Sequence, residues 1–109
     1  MQDFTGKRVI VRTSDAGVFY GTLSEHDKMS GVAELTNVRR IWYWAGAASL
    51  SQLAIDGVTQ PENCLFTVYV PVMQVGGVIE VIPCSDKAIA IIESVKIWTA
   101  EDEDKKKSN

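Results

Sequence analysis

The chain has 109 residues and a mass of 12.0 kDa, 46% of it hydrophobic and 23% charged, which suits one domain with a small core. Its net charge of −3 and pI of about 5.0 argue against a protein that tracks a long phosphate backbone, since such proteins carry a basic excess. A local basic pocket stays open. Of 11 basic and 14 acidic side chains, 3 and 4 fall in the last nine residues, EDEDKKKSN. That segment has nothing apolar to bury, so residues 101–109 read as a disordered charged tail after a single β-rich domain of residues 1–100.

The first residues, MQDFTGKRVIV, lack the pattern of a secretory leader, and no apolar run is long enough to span a membrane. A cytoplasmic protein without membrane contact is expected. Cys64 and Cys84 have no metal-ligand spacing; they form a disulfide or stand as two reduced, partly buried thiols, as a cytoplasm favours. Neither a metal nor a cofactor is expected.

The first third reads as strands. Lys7–Thr13 and Val18–Ser24 flank the turn residues Ser14-Asp15-Ala16-Gly17, which predicts a hairpin, and Gly21 marks a bulge or bend. A polar turn over His26–Gly31 leads to strands at Val32–Leu35 and Val38–Trp44, with Thr36-Asn37 as a kink or tight turn between them. Ser49 and Gln52 form an S-x-x-Q capping box for a short helix over Leu50–Asp56, with Gly57 closing it. Strands follow at Leu65–Val70, ended or confined to an edge by Pro71, and at Val78–Ile82 after the Gly76-Gly77 turn. Val72–Val75 extends the first of them past its kink. A helix is predicted over Asp86–Ser94, and Lys96–Thr99 reads as a last short strand. Short turns between successive strands imply antiparallel pairing. The fold class is therefore mainly β with two short helices, a small antiparallel barrel or strongly curved sheet.

Catalytic chemistry finds little support. The one histidine, His26, sits in a polar turn beside Asp27, and no nucleophile elbow, zinc-protease motif, phosphate loop or dinucleotide fingerprint is present. Glu34, Glu80 and Glu93 lie apart in separate elements. A binding protein that is no enzyme is expected.

The segment that stands out is VRRIWYWAGAASLSQL, Val38–Leu53, which holds two of the three tryptophans and a pair of adjacent arginines. Alternate side chains in a strand share a face, so Arg39, Ile41 and Tyr43 point one way and Arg40, Trp42 and Trp44 the other. Guanidinium and indole planes stack on nucleobases, and arginine grips phosphate in a bidentate way. The small residues Ala45–Ala48 let backbone approach a ligand, and the amides of Leu50 and Ser51 at the helix start, behind the cap Ser49, favour an anion. Arg12, in the first strand, either joins that anionic site or pairs with a surface carboxylate. Trp42 and Trp44 read equally as core, with Arg40 reaching past them to water. Tyr69 and Trp98 are assigned to packing alone.

Two resemblances add to this. RVIVRTSDAGVFYGTLSEHDKMSGVAEL resembles the first half of an Sm-like RNA-binding barrel: Gly21-Thr22-Leu23 matches the G-x-L of its bent strand, and Asp27-Lys28-Met29-Ser30 matches a D-x-x-M-N turn with Ser for Asn. Gly76–Pro83 resembles the second half, with Val75-Gly76 where that family carries Arg-Gly. The likeness implies an Sm-like topology and, as a less favoured function, RNA binding through the Asp27–Ser30 turn. VRTSDAGVFYGTL, RRIWYWAGAASLSQLAIDG and IEVIPCSDKAI together resemble a family of small phage and prophage proteins and, through it, the phage Thoeris anti-defence proteins of the first type. That resemblance implies a homo-oligomer that sequesters a cyclic nucleotide or ADP-ribose-type immune signal without cleaving it, at a site near subunit contacts. A protein-binding inhibitor or structural phage component is the further alternative.

Overall fold

The computed structural model describes residues 1–107, so Ser108 and Asn109 of the expected tail lie outside the described residues. Six strands form one curved antiparallel sheet: β1 Arg8–Thr13, β2 Val18–Asp27, β3 Val32–Tyr43, β4 Leu65–Phe66, β5 Val70–Val75 and β6 Val78–Pro83. The path runs β4-β3-β2-β1-β6, with β5 also paired to β3. Helix α1, Leu50–Asp56, and helix α2, Asp86–Ser94, stand where the capping residues put them. The mainly β antiparallel fold with two short helices is as the sequence led us to expect. The sheet is open: β5 and β6, joined through Gly76-Gly77, pair with β3 and β1 and not with each other. At that seam Val78 N donates to Gly31 O at 3.0 Å and Ser14 N to Gly77 O at 2.8 Å.

The two strands predicted at Val32–Leu35 and Val38–Trp44 are one strand, β3, because Thr36-Asn37 is a bulge and not a turn. Tyr20 pairs with Arg39 and Thr22 with Thr36, so β3 advances three residues while β2 advances two. Asn37 takes up the extra residue at φ 47°. Opposite it, a Cβ on Gly21 would lie 2.9 Å from Val38 Cβ, so the close approach needs glycine. Pro71 falls inside β5, in the gap of the register between Val38↔Val70 and Thr36↔Val72. Of the predicted Leu65–Val70 strand, Leu65–Phe66 pairs as β4 and Val70 opens β5, while the predicted last strand reduces to an isolated parallel bridge of Phe66 with Ile97.

Both faces of the sheet are covered. Ile10, Tyr20, Ile41 and Phe66 pack with Leu53 and Ala54 of α1 and with Ala88 and Ile92 of α2. Val9, Val11, Phe19, Leu23, Leu35 and Val38 form a second core inside the curl of the sheet, closed by Val75. Helix α3, Ala100–Lys107, occupies the segment read as a disordered tail. Its start is organised locally: Thr99 donates through N and Oγ1 to Asp102 at 2.9 and 3.1 Å, and Glu101, Asp102 and Glu103 complement the positive end of the helix dipole. No helix among the described residues is long and apolar enough to cross a membrane.

Candidate functional site

The adjacent arginines of β3 have opposite surroundings. Arg39 is fully buried on the helix side of the sheet. Its Nε donates to Thr67 O at 3.0 Å and its Nη2 to Phe66 O at 3.1 Å. Nη1 donates to Ile92 O at 3.2 Å and Val95 O at 3.1 Å, two carbonyls at the negative end of α2. Its guanidinium also lies over the rings of Tyr69 and Phe66, 4.7 and 5.3 Å from their centroids. The phosphate role expected of Arg39 is therefore corrected: the side chain caps α2 from within and has no path to a ligand.

Arg40 sits on the other face, half-buried, with its guanidinium 4.9 Å from the centroid of the Phe19 ring. Its Nε is enclosed and finds no hydrogen-bond partner, and no carboxylate pairs with it among the described residues. A groove of about 220 Å³ opens beside it, walled by Gly17 and Val18 after the β1–β2 turn and by Trp42 and Trp44. The strand alternation thus does bring Arg40, Trp42 and Trp44 together. Trp42 is 63% exposed and presents an indole to solvent. Trp44, past the end of β3, packs partly against the helix-side core and donates Nε1 to Ala47 O at 3.3 Å.

The remaining predicted residues lie elsewhere. Arg12 forms an exposed ion pair with Glu80 on the neighbouring strand at 3.0 Å, the surface pairing that was its alternative reading. Ser49 accepts from Gln52 N at 3.1 Å, and Gln52 Oε1 accepts from Ala48 N at 2.7 Å, one residue before the N-cap amide that a strict capping box would reach. Leu50 is half-buried against the core and Ser51 is exposed, and neither they nor Ser49 line the Arg40 groove. A seven-residue helix has little dipole to add, so its amino end is a structural cap here.

Sequence reasoning missed two features. Trp98 is no isolated packing residue: it stacks on Trp42, with centroids 6.5 Å apart and planes at 26°. Arg8 anchors a cluster with Tyr20 and Glu93. Tyr20 Oη donates to Glu93 Oε2 at 2.6 Å, and Arg8 meets the same oxygen at 2.9 Å while its guanidinium stacks 4.4 Å from the Tyr20 centroid. Burial and the bond to Glu93 push the Tyr20 hydroxyl far up. Burial raises Glu93 as well, but the bonds from Tyr20 and Arg8 outweigh it and hold the carboxyl below its ordinary value. No sequence spacing signals a contact between residues 20 and 93. Both cysteines are free, and no group of three metal-ligating side chains is present among the described residues.

The sequence model of a family described as a domain of unknown function, DUF6948, matches residues 6–92. The chain belongs to that family. Among curated proteins, none matches it. The matched region of the DUF6948 domain contains β1–β6, α1 and the Arg40 groove, and it stops before Trp98. A larger cavity of about 600 Å³ lies between Met1–Thr5, the end of β2 and β6. It mixes His26 and Lys28 with Asp3, Glu25 and Glu80, and one wall is the N-terminal segment outside the matched domain. Its charges converge on no one ligand chemistry, so the smaller Arg40 groove is the better candidate.

Proposed function

We propose that this DUF6948 protein is a non-enzymatic binding protein for a small nucleotide signal, held with its phosphate at Arg40 and a ring against Trp42. The observation that carries the reading is Arg40 itself: a partly enclosed guanidinium with no acidic partner among the described residues, next to an exposed indole. An unsatisfied buried donor is costly, and an anion that completes it gains a charge-assisted bond. Stacking of a base on the indole adds about 1–3 kcal/mol. Sequestration needs only such affinity. A cyclic nucleotide or ADP-ribose-type immune signal, denied to a host effector by a phage-encoded protein, is the form supported by the resemblance of the RRIWYWAGAASLSQLAIDG segment to phage and prophage proteins. The same resemblance puts the site near contacts between copies, and Trp42 and Tyr43 are both more than half exposed there.

Calorimetry with a panel of cyclic nucleotides and cyclic ADP-ribose isomers tests the proposal. Micromolar binding that Arg40→Ala abolishes supports it; no heat from any of them sinks it. A second reading, an Sm-like RNA-binding module, draws on the β1–β2–β3 meander and the Asp27–Ser30 turn, whose Met29 is fully exposed. Gel shifts with short homopolymer RNAs separate the two, since a one-pocket site ignores long RNA.

A further inference from the structure

Resting on that reading of the Arg40 site, we infer that its ligand carries two planar rings joined through an anionic linker, and that Trp98 is the platform for the second ring. The Arg40 groove measures about 220 Å³. Pockets that enclose a small ligand run from about 300 Å³ upward, so this one takes a ring and leaves the rest of a nucleotide outside. The rest has a place to go. Trp42 lines the first groove and stacks on Trp98, and Trp98 lines a second groove of about 410 Å³ together with Pro61, Leu65, Lys96 and Ile97. The two grooves therefore meet at a pair of near-parallel indoles.

Their electrostatics differ. Among the described residues, no carboxylate borders the Arg40 groove. Glu62 and Asp102 border the second, and Asp102 already holds Lys96 at 3.4 Å. A phosphate is favoured at the first and disfavoured at the second, while the apolar walls and the indole of the second accept a neutral ring. The arrangement selects a ligand with its charge between two aromatic groups, one on each side of Trp42. Trp98 lies beyond the residues 6–92 matched by the DUF6948 model.

The test measures binding of adenosine monophosphate, a one-ring probe, and diadenosine diphosphate, a two-ring probe, to the full chain by calorimetry or indole quenching. The wild type is expected to bind the two-ring probe about tenfold tighter or more, the value of one added stack. Trp98→Ala erases that advantage, Trp98→Phe restores most of it, and Trp42→Ala weakens both probes. Equal affinity of the wild type for the two probes, or an advantage that survives in a folded Trp98→Ala protein, overturns the two-ring inference while the Arg40 site stands. Failure of both probes to bind the wild type overturns the site and the inference together.

Discussion

Arg39 and Arg40 follow one another in β3 and serve opposite sides of the sheet: the first donates to Val95 O at 3.1 Å inside the helix-side core, the second stacks 4.9 Å from the centroid of Phe19 beside an open groove. One peptide bond separates a structural arginine from the one available to a ligand. The two should respond to substitution in opposite ways. Arg39→Met leaves the carbonyls of Phe66, Thr67, Ile92 and Val95 without their donor and is expected to cost about 3–5 kcal/mol. Arg40→Ala should cost only about 1 kcal/mol, the size of its stack on Phe19, while removing anion binding. Urea melts and binding isotherms on the same two variants check both halves.

The Tyr20–Glu93 bond ties β2 to α2 at 2.6 Å. Tyr20→Phe is expected to cost about 1 kcal/mol, at the low end for a charge-assisted bond because Glu93 is partly in solvent. The same contact sets a pH dependence. Glu93 is held below its ordinary value of 4.5 in the folded chain, so its contribution is full above about 4.5 and is lost as pH falls through the depressed folded value. Chemical melts across that window should show Glu93→Gln less acid-sensitive than the wild type. Equal acid sensitivity of the two proteins would discard this account.

Burial pushes the Cys84 thiol up to about 12, against a small opposing effect of Arg8, and burial raises Cys64 as well. Thiolate is the reactive form, so both residues should react slowly with a disulfide reagent in the native protein at mildly alkaline pH and rapidly in denaturant. Time courses of thiol labelling read this directly. Fast native labelling of either one would contradict the burial seen here.

Gly21 faces the β3 bulge with no room for a side chain, since an added Cβ would meet Val38 Cβ at 2.9 Å and Thr36 O at 3.1 Å. Gly21→Ala should destabilise by about 1–3 kcal/mol, because both neighbours belong to a paired strand and cannot give way. Gly76→Ala is the matched control, as nothing lies within 4 Å of its added Cβ, and it should leave the melting temperature nearly unchanged.

Much of this was legible along the chain. The Ser14–Gly17 turn and the Ser49 cap of α1 are local chemistry between residues a few positions apart, formed where the sequence puts them, and Ser85 caps α2 in the same local way by accepting from Ala88 N. The Arg40–Trp42 grouping follows from strand alternation, while Trp44 joins the groove from beyond the end of β3. Trp98 and the Arg8–Tyr20–Glu93 cluster were not legible, because their partners lie 56 and up to 85 residues away and meet only when the sheet curls and α2 docks.

Alternation within β3 separates Arg39 from Arg40 in any strand; the sequence by itself determined that they point apart. Only the tertiary structure decided which of them is buried. Both faces of β3 are covered, one by α1 and α2 and the other by the sheet's own curl, so an apolar-and-polar pattern carries no label for inside. The one-residue bulge at Asn37 then sets the phase, placing Val38 and Arg40 with Leu35 and turning Arg39 toward the carbonyls at the end of α2. That bulge depends on a partner strand with glycine opposite, and a pairing of strands is a property of the fold and not of any one segment.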